Sequence, residues 1–245
     1  MSASNRGSLI VIESNDRAGK TTICEHLISV LPNAVYMKFP NRNGKHGKII
    51  DDYLLNKINL PKDEIYKLFV ENRQHEKENI ASLLNQGRHV ICDRYCYSGI
   101  VYTTYDNLSK SADTNFGTLN NCASSFSTNF GRLNNTIISM NNLLKNESGL
   151  PKPDILFLIK GNYRDGSNER YDNCDGIYEL FESWFTNGTN SWTEINNIWL
   201  CNTIKLVENI YHKDSKEYKI MIEKMSDLIK KIELSELEYI NLYHI

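Results

Sequence analysis

A short run of residues near the N-terminus has the composition of a phosphate-binding loop. Residues 14–22 read SNDRAGKTT and lie between an apolar stretch and an amphipathic one. In such a loop, backbone N–H groups surround phosphate oxygens, a lysine reaches the β- and γ-phosphates, and the next hydroxyl binds Mg²⁺. Lys20 and Thr21 occupy those two positions. The run predicts an ATP site formed by Asn15, Asp16, Arg17, Ala18, Gly19, Lys20, Thr21 and Thr22.

The first position of this loop departs from the usual pattern. Ser14 stands where such loops carry glycine. Glycine is usual there because the tight turn can demand backbone angles that other residues reach only with strain. Ser14 therefore predicts an altered loop geometry or an altered nucleotide affinity.

Several other residues suit a second, phosphorylated substrate. Arg17 lies inside the loop, where a guanidinium can neutralise charge on a phosphoryl group, and Asp16 can accept a hydrogen bond from a sugar hydroxyl. Arg42 follows closely after a predicted strand, at the sheet edge where ligands bind, and can clamp an acceptor phosphate. Phe69 and Arg73 share a helix face that suits a planar base. Taken singly, Arg42 also fits a solvated arginine, and the Phe69–Arg73 pair also fits a core phenylalanine beside a surface arginine.

Two further polar segments follow predicted strands. Asp93 and Arg94 end the third strand, where Asp93 can complete a Mg²⁺ site and Arg94 can bind phosphate. Directly after them come Ser98, Gly99 and Tyr102. The polar stretch 162–176 follows the fourth strand and predicts a lid that excludes water from the site. The residues of interest in this stretch are Arg164, Glu169, Arg170 and Tyr171.

The elements that must position these residues alternate between strand and helix. Apolar runs predict buried parallel strands, and amphipathic runs predict the helices that cover them. The predicted strands are 9–12, 34–39, 88–92, 154–159 and a last strand at 204–207, with 195–200 as its alternative. The predicted helices are 21–31, one long helix over 61–86, and a final helix over 214–232. This order predicts a single α/β domain over residues 1–245, with a parallel sheet wrapped by helices.

One segment interrupts this order. Residues 108–147 are rich in Asn, Ser and Thr, and they contain an imperfect repeat, TNFGTLNN at 114–121 and TNFGRLNN at 128–135. Two copies do not make a repeat array, which usually needs at least three. The composition predicts a low-complexity surface insertion, mobile or partly ordered, with a binding function of its own as the other interpretation.

The bulk composition excludes several classes of protein. The chain has 245 residues and a formal net charge of −2. This charge argues against a dominant basic surface and therefore against a protein whose main role is to bind nucleic acid. The six cysteines are scattered without metal-binding spacing and indicate reduced thiols. The N-terminus lacks a signal-peptide pattern, and no apolar run approaches the roughly 20 residues of a membrane helix. We expect a cytoplasmic protein, or a nuclear one in a eukaryote, with no nucleic-acid or membrane partner.

Together these segments resemble the thymidylate kinase family of the eukaryotic and viral type, within the P-loop nucleoside monophosphate kinases. The strings DRAGKTT, FPNR, LFVENR, DRYCYSG, GLPKPD and ERYD occur here in the family's order. The resemblance covers roughly residues 8–105 and 148–185. It implies a five-stranded parallel sheet wrapped by helices, Mg²⁺-dependent phosphoryl transfer from ATP to dTMP to give dTDP, and a homodimer.

The resemblance also implies roles for individual residues. Arg17 in the loop is typical of the subtype whose catalytic arginine lies there rather than in the lid. The implied catalytic residues are Asp16, Arg17, Lys20 and Asp93, and the implied Mg²⁺ ligands, partly through water, are Thr21 and Asp93. The implied dTMP contacts are Asp16 to the 3′-hydroxyl, Arg42 and Arg94 to the phosphate, Phe69 and Arg73 to thymine, and Phe39, Ser98, Gly99, Tyr102 and Tyr171 around the sugar and base. The implied lid residues are Arg164, Glu169 and Arg170.

Three departures from the family pattern leave alternatives open. Ser14 replaces the loop glycine, Gln74 and His75 replace the usual Trp-Glu, and the insertion has no counterpart in compact members. One alternative is a kinase with a broader range of deoxynucleoside monophosphates, because Gln74 could loosen the base pocket. A second is a nucleotide-binding protein with weak or no transferase activity, supported mainly by Ser14. A third is a nucleoside kinase, although Arg42 indicates a phosphorylated acceptor.

Overall fold

A parallel sheet forms the centre of the computed structural model, which describes residues 6–110, 130–161, 177–187, 203–209 and 213–233. Within these ranges the sheet has five strands in the order β2-β3-β1-β4-β5. The strands are β1 (Leu9–Glu13), β2 (Val35–Lys38), β3 (Val90–Asp93), β4 (Ile155–Gly161) and β5 (Thr203–Asn209). Every pairing is parallel. The predicted α/β class and five-stranded parallel sheet are confirmed, with the last strand at the first of its two predicted positions. The alternative position, 195–200, lies outside the described residues.

Helices cover both faces of this sheet. They are α1 (Lys20–Val30), α2 (Gly47–Leu54), α3 (Lys62–His75), α4 (Lys77–Asn85), α5 (Cys96–Lys110), α6 (Phe130–Leu144), α7 (Ile177–Asn187) and α8 (Lys216–Glu233). The helices predicted at 21–31 and 214–232 are confirmed with small shifts at their ends, as α1 and α8. The predictions missed α2, because so short a helix is marginal by itself and depends on packing against α3. In the described ranges, no helix combines the length and apolar character needed to cross a membrane.

Alternate side chains of the strands pack into two apolar cores, one on each face of the sheet. Leu9 and Val11 face the core shared with α4, α5, α6 and α7, whereas Ile10 and Ile12 face the core shared with α1 and α8. Because successive side chains of a strand point to opposite faces, β1 is buried on both sides. Burial on both sides explains the continuous apolar sequences from which the strands were predicted.

The predicted long helix over 61–86 is wrong, because it is two helices. α3 ends at His75 and α4 begins at Lys77. Between them, the backbone N–H of Glu76 donates to the carbonyl of Arg73 at 2.9 Å, a tighter bond than an α-helix makes. The Glu76 carboxylate accepts a hydrogen bond from Asn41 Nδ2 at 2.9 Å, so a tertiary contact holds the break. The apolar spacing continues across it, which is why the pattern did not reveal it.

The predicted surface position of segment 108–147 is wrong for α6, whereas its status as an insertion relative to the family stays a prediction. α5 covers its start, and its end forms α6 and a 3₁₀ turn, Lys145–Glu147. The residues of α6 buried in the core beneath α4, α5 and α7 are Ile137, Met140 and Leu144. Their spacing places them on one helix face. This apolar stripe was hard to recognise in the sequence because polar residues lie between its members. The first repeat copy and the start of the second lie outside the described residues.

The carboxyl ends of the strands meet at one edge of the sheet, where ligands bind in folds of this type. β1 leads into loop 14–19 and α1, and β3 leads directly to Arg94. β2 leads to Phe39, and β4 ends at Gly161. The fold therefore brings separate predicted segments to a common edge.

Candidate active site

The loop after β1 has the geometry of a phosphate-binding loop. Gly19, with φ 85°, and Arg17, with φ 64°, occupy the left-handed region, and α1 begins at the next residue, Lys20. Lys20 Nζ donates to the Asn15 carbonyl at 2.6 Å and to Ser14 Oγ at 3.0 Å, so its ammonium lies over the loop. The start of α1 has no capping side chain at Gly19. Backbone N–H groups beside a lysine ammonium are what anion binding needs.

Ser14 does not impose the strain that its position predicts. It does not belong to the described non-glycine residues with positive φ, which are Arg17, Asn33, His46, Asn56 and Arg94. Serine therefore adopts this backbone without strain. Its hydroxyl donates to the Asn15 carbonyl at 2.6 Å and accepts the hydrogen bond from Lys20. The predicted alteration of loop geometry is wrong, while an effect on nucleotide affinity stays a prediction.

Lys20 has an unusual protonation equilibrium. Its side chain is almost fully buried. Burial, followed by repulsion from the Arg94 guanidinium, lowers the pKa of Lys20 to about 7, although the carboxylates of Asp16, Asp93 and Glu13 oppose the shift. A polyphosphate at close range would add opposite charge and raise this pKa again. Nucleotide binding is therefore expected to take up protons near neutral pH.

Thr21 and Asp93 form the pair predicted for Mg²⁺. The hydroxyls of Thr21 and Tyr36 donate to Asp93 Oδ2 at 2.7 and 2.9 Å. The other oxygen, Oδ1, is buried and accepts no hydrogen bond from the described residues. Burial alone would raise the pKa of Asp93, but the charges of Lys20 and Lys38 hold this pKa below its usual value. One hydroxyl and one ionised carboxylate fit Mg²⁺, which usually takes few protein ligands beside phosphate oxygens and water.

Arg94 and Asp16 face each other at the centre of the site. Arg94 forms an ion pair with Asp16, and its Nη1 donates to the Ser14 carbonyl at 3.0 Å and to Ser98 Oγ at 2.8 Å. The Tyr102 hydroxyl donates to the other Asp16 oxygen at 3.0 Å, and the Arg94 guanidinium lies over the Tyr102 ring. Burial alone would raise the pKa of Asp16, but the charge of Arg94 holds this pKa below its usual value. The structure thus joins predicted residues of the loop, the β3 end and α5 in one network.

Glu13 supports this network, and the sequence analysis missed it. Fully buried at the end of β1, it accepts hydrogen bonds from the backbone N–H groups of Tyr95 at 2.9 Å and Ser98 at 3.1 Å, and from the Ser98 hydroxyl. A carboxylate there satisfies N–H groups at the start of α5 and interacts favourably with the helix dipole. Burial raises the pKa of Glu13, although the Arg94 charge opposes the shift. The sequence did contain a signal for this role, because Glu13 is an acidic residue directly after a wholly apolar run.

A cavity of about 540 Å³ joins the loop to the predicted acceptor residues. The loop residues that line it are Asp16, Arg17, Gly19, Lys20, Thr21 and Thr22. The predicted acceptor residues that line it are Phe39, Arg42, Phe69, Arg73, Arg94, Ser98, Gly99 and Tyr102. Its volume falls within the range of small-molecule sites, about 300–1,000 Å³. The two sets of predictions therefore meet in one concave site.

Several residues that line this cavity were not predicted. They are Lys38, Pro40, Leu54, Lys62, Ile65, Tyr66, Tyr95, Thr103 and Asp106. Lys62 and Asp106 form an ion pair that joins the start of α3 to α5. Arg42 forms an ion pair with Asp51 of α2, and both partners are about one-third exposed. Such an exposed pair contributes little to stability, so Arg42 can exchange Asp51 for a ligand phosphate at small cost.

Arg73 lies in the interior, so its interpretation as a surface arginine is wrong. Its side chain is only 2% exposed. Nε donates to Glu147 Oε2 at 3.2 Å, and Nη2 pairs with Glu147 Oε1. Gly99 packs so closely that a Cβ there would lie 2.8 Å from Nη2 and 3.0 Å from Nη1. Its hydrogen bond to a base stays a prediction.

Gln74, by contrast, does not line the cavity. Its Nε2 donates to the Ser148 carbonyl at 3.0 Å, so the side chain joins α3 to the segment after α6. This contact removes the structural basis for a base pocket loosened by Gln74. The predicted lid over 162–176 lies outside the described residues, together with Arg164, Glu169, Arg170 and Tyr171.

The fold and the site define an α/β protein in which a P-loop-type phosphate-binding loop opens into one continuous cavity lined by arginine and aromatic side chains. A sequence model of the family described as Thymidylate kinase matches residues 12–118. A thymidylate kinase of Danio rerio is 28% identical over 225 residues, which cover 86% of this chain and 89% of that relative. The solved structure of thymidylate kinase from Candida albicans is similar with a TM-score of 0.62 and 28% identity, covering 94% of this chain and 92% of that one. The thymidylate kinase structure from Ehrlichia chaffeensis shares the fold, with a TM-score of 0.51, 17% identity and coverage of 91% and 99%. The chain is therefore similar to thymidylate kinases over most of its length.

Proposed function

We propose that the protein transfers the γ-phosphoryl group of ATP to dTMP, giving dTDP and ADP. The observation that carries this proposal is the continuous cavity, with a phosphate-binding loop at one end and an arginine- and aromatic-lined pocket at the other. Ligands at the two ends would bring their phosphates together near Lys20 and Arg94. Phosphoryl transfer depends on such positioning and charge neutralisation more than on covalent chemistry.

The donor phosphates would lie on the loop. The N–H groups at the start of α1 would donate to phosphate oxygens, and Lys20 would bind the β- and γ-phosphates. Arg17, which lines the cavity, would neutralise charge on the phosphoryl group as it moves. The loop residues proposed to contact ATP are Asn15, Asp16, Arg17, Ala18, Gly19, Lys20, Thr21 and Thr22.

Thr21 and Asp93 would hold Mg²⁺, in part through water. The support is the ionised Asp93 carboxylate, whose buried Oδ1 accepts no hydrogen bond within the described ranges. When bound, the ion supplies positive charge to the phosphate oxygens. No three His, Cys, Asp or Glu side chains of the described residues cluster as a metal cage. That absence agrees with an ion whose remaining ligands are phosphate and water.

The acceptor nucleotide would lie in the opposite end of the cavity. Arg42 and Arg94 would bind its phosphate, and Asp16 would accept a hydrogen bond from the 3′-hydroxyl. Tyr102 donates to Asp16, so its ring would lie beside the neighbouring 2′ carbon and disfavour a ribose hydroxyl there. Phe69 would stack on thymine, and Arg73 would donate to a ring carbonyl, as donor-only guanidinium groups do.

A kinase with a broader acceptor range is the second candidate. The Candida albicans thymidylate kinase is described as having broad substrate specificity. In this chain the Lys62–Asp106 ion pair also lines the cavity and offers polar groups to bases other than thymine. A nucleotide-binding protein without activity has less support, because Ser14 fits the loop without strain.

The test is ADP release from ATP and Mg²⁺ with each nucleoside monophosphate in turn, with an acceptor-free control. Strong release with dTMP and little with the others supports a thymidylate kinase. Comparable release with several deoxynucleotides supports the broader kinase. No release with any acceptor, despite ATP binding, contradicts both, and Ser14→Gly then tests whether the loop is the cause.

A homodimer is proposed from the family resemblance alone, and a cytoplasmic or nuclear location from the scattered cysteines. Sedimentation velocity tests the first: a single species at twice the mass of the chain supports a dimer. Imaging of the tagged protein in its own cells tests the second.

A further inference from the structure

We propose that Glu147 is a positioning residue that fixes the Arg73 guanidinium and thereby sets the preference of the pocket for a base with a carbonyl at that edge. The inference rests on the proposed function. Glu147 is fully buried, and Arg73 is 2% exposed. Both carboxylate oxygens are used, one by Nε at 3.2 Å and one by Nη2. A bidentate pair fixes the plane of a guanidinium as well as its position.

This pairing decides which part of Arg73 meets a ligand. A guanidinium has five N–H donors, and Glu147 takes one on Nε and one on Nη2. Within the described ranges no other acceptor bonds to Arg73, whose side chain lines the cavity near Gly99. Because arginine only donates, the remaining N–H groups favour a ring carbonyl over a ring amino group. dTMP has a carbonyl where dCMP has an amino group, so the fixed orientation favours dTMP.

The backbone that carries Glu147 is tied to α3 on both sides of Arg73. The Tyr66 hydroxyl donates to the Leu143 carbonyl at 3.0 Å, and Gln74 Nε2 donates to the Ser148 carbonyl at 3.0 Å. Beneath these contacts, α6 is anchored in the apolar core. These contacts restrain the backbone at Glu147, so the carboxylate favours one orientation of the guanidinium.

Stability alone gives a weak reason for this arrangement. Replacing a buried ion pair by apolar residues of similar volume is often neutral or stabilising, because both charges must be removed from water. An apolar pair would also serve the contact between α3 and the 3₁₀ turn. An ion pair at the wall of the cavity adds what an apolar pair lacks, namely oriented N–H donors facing a ligand.

The experiment measures binding of dTMP and dCMP by calorimetry, and KM for dTMP and ATP, in Glu147→Gln, Arg73→Gln and the double variant. We expect Glu147→Gln to weaken dTMP binding about tenfold, the effect of one hydrogen bond to a charged group, and to lower the dTMP/dCMP preference by a similar factor. KM for ATP should stay within about threefold of the wild type, because Glu147 has no contact with the loop. In the Arg73→Gln background, Glu147→Gln should have no further effect on the preference, because Glu147 acts through Arg73.

Asn141→Ala is the matched control for loss of packing. Asn141 lies on α6 and accepts a buried hydrogen bond from Trp184 Nε1 at 3.0 Å, a bond that does not involve Arg73 or Glu147. It should lower the melting temperature yet keep the wild-type dTMP/dCMP preference. Glu147→Asp retains the charge on a shorter side chain, so it should recover part of the preference, and it replaces Glu147→Gln if that variant does not fold.

An unchanged preference in Glu147→Gln, or an equal loss in Asn141→Ala, overturns the inference. This test of Glu147 can be distinguished from the test of the proposed kinase activity. A wild-type protein that binds dTMP but releases no ADP contradicts the kinase proposal, while the binding ratios still test Glu147. Absence of dTMP binding contradicts both.

Discussion

A methyl group added at Gly161 should weaken ATP binding selectively. Gly161 is the last residue of β4 and packs against Ala18 of the phosphate-binding loop. A Cβ at this position would lie 2.7 Å from Ala18 Cα and 2.8 Å from both Ala18 Cβ and the Ala18 carbonyl oxygen. Carbon atoms in ordinary contact are about 3.5–4.0 Å apart, so the loop must move by about 1 Å. No flexible side chain can give way, because the contacts are mostly with backbone.

The expected effect follows from the hydrogen bonds that the loop would make. A shift of about 1 Å lengthens an N–H···O bond to a phosphate oxygen beyond its useful range. A hydrogen bond to a charged group contributes about 1.5–3 kcal/mol. Losing one of them in Gly161→Ala should raise KM for ATP by about tenfold to a hundredfold.

The assay is steady-state kinetics, with ATP varied at saturating dTMP and dTMP varied at saturating ATP. Gly99→Ala is the matched control, since its Cβ would press on Arg73 Nη2 at 2.8 Å and leave the loop untouched. It should raise KM for dTMP instead. If Gly161→Ala leaves KM for ATP unchanged, or raises both constants equally, the assignment of this loop to ATP is refuted.

Three further predictions concern the phosphates and the metal. Arg42→Ala should raise KM for dTMP about tenfold to a hundredfold and change KM for ATP far less, because we propose that Arg42 exchanges its ion pair with Asp51 for the acceptor phosphate. Asp93→Asn should lower kcat at least about a hundredfold at saturating Mg²⁺, because a neutral amide neither binds the ion well nor offers charge. ATP affinity should fall as pH rises above 7, because the pKa of Lys20 is lowered to about 7 in the protein and raised by phosphate, so that binding takes up a proton. Calorimetry in buffers of different ionisation enthalpy measures that uptake.

Each of these predictions has its own control. Asp51→Asn removes the carboxylate partner of Arg42 without removing the arginine, so KM for dTMP should stay near the wild-type value or fall. Thr21→Val removes the hydroxyl that Asp93 accepts from, and it should also lower kcat if the two residues share a metal. Lys20→Arg stays charged over the whole pH range, so it should abolish the pH dependence of ATP affinity. A pH slope that persists in Lys20→Arg would assign the titration to another group.

Local signals in the sequence determined the strands and the donor loop. Both faces of β1 are buried, so its apolar run is unbroken and readable without knowledge of its neighbours. The loop after it follows from short-range chemistry, since Gly19 and Lys20 must be adjacent to each other and to the start of α1. Position after a strand was enough to place Arg42 and Arg94 at the common edge, because parallel strands share one carboxyl end.

Other features depended on contacts between distant parts of the chain. Arg73 and Glu147 are 74 positions apart, and no local pattern distinguishes a buried, paired arginine from an exposed one. The role of Glu13 depends on N–H groups more than 80 positions away, at the start of α5. α6 lies in the core although polar and apolar residues are equally common in its sequence, because three apolar side chains on one face are enough once a surface exists to bury them. The sequence alone therefore predicted which residues could bind phosphate. The tertiary structure decided which charges are paired and in what orientation, because burial and ion pairing are properties of surroundings that only the folded chain assembles.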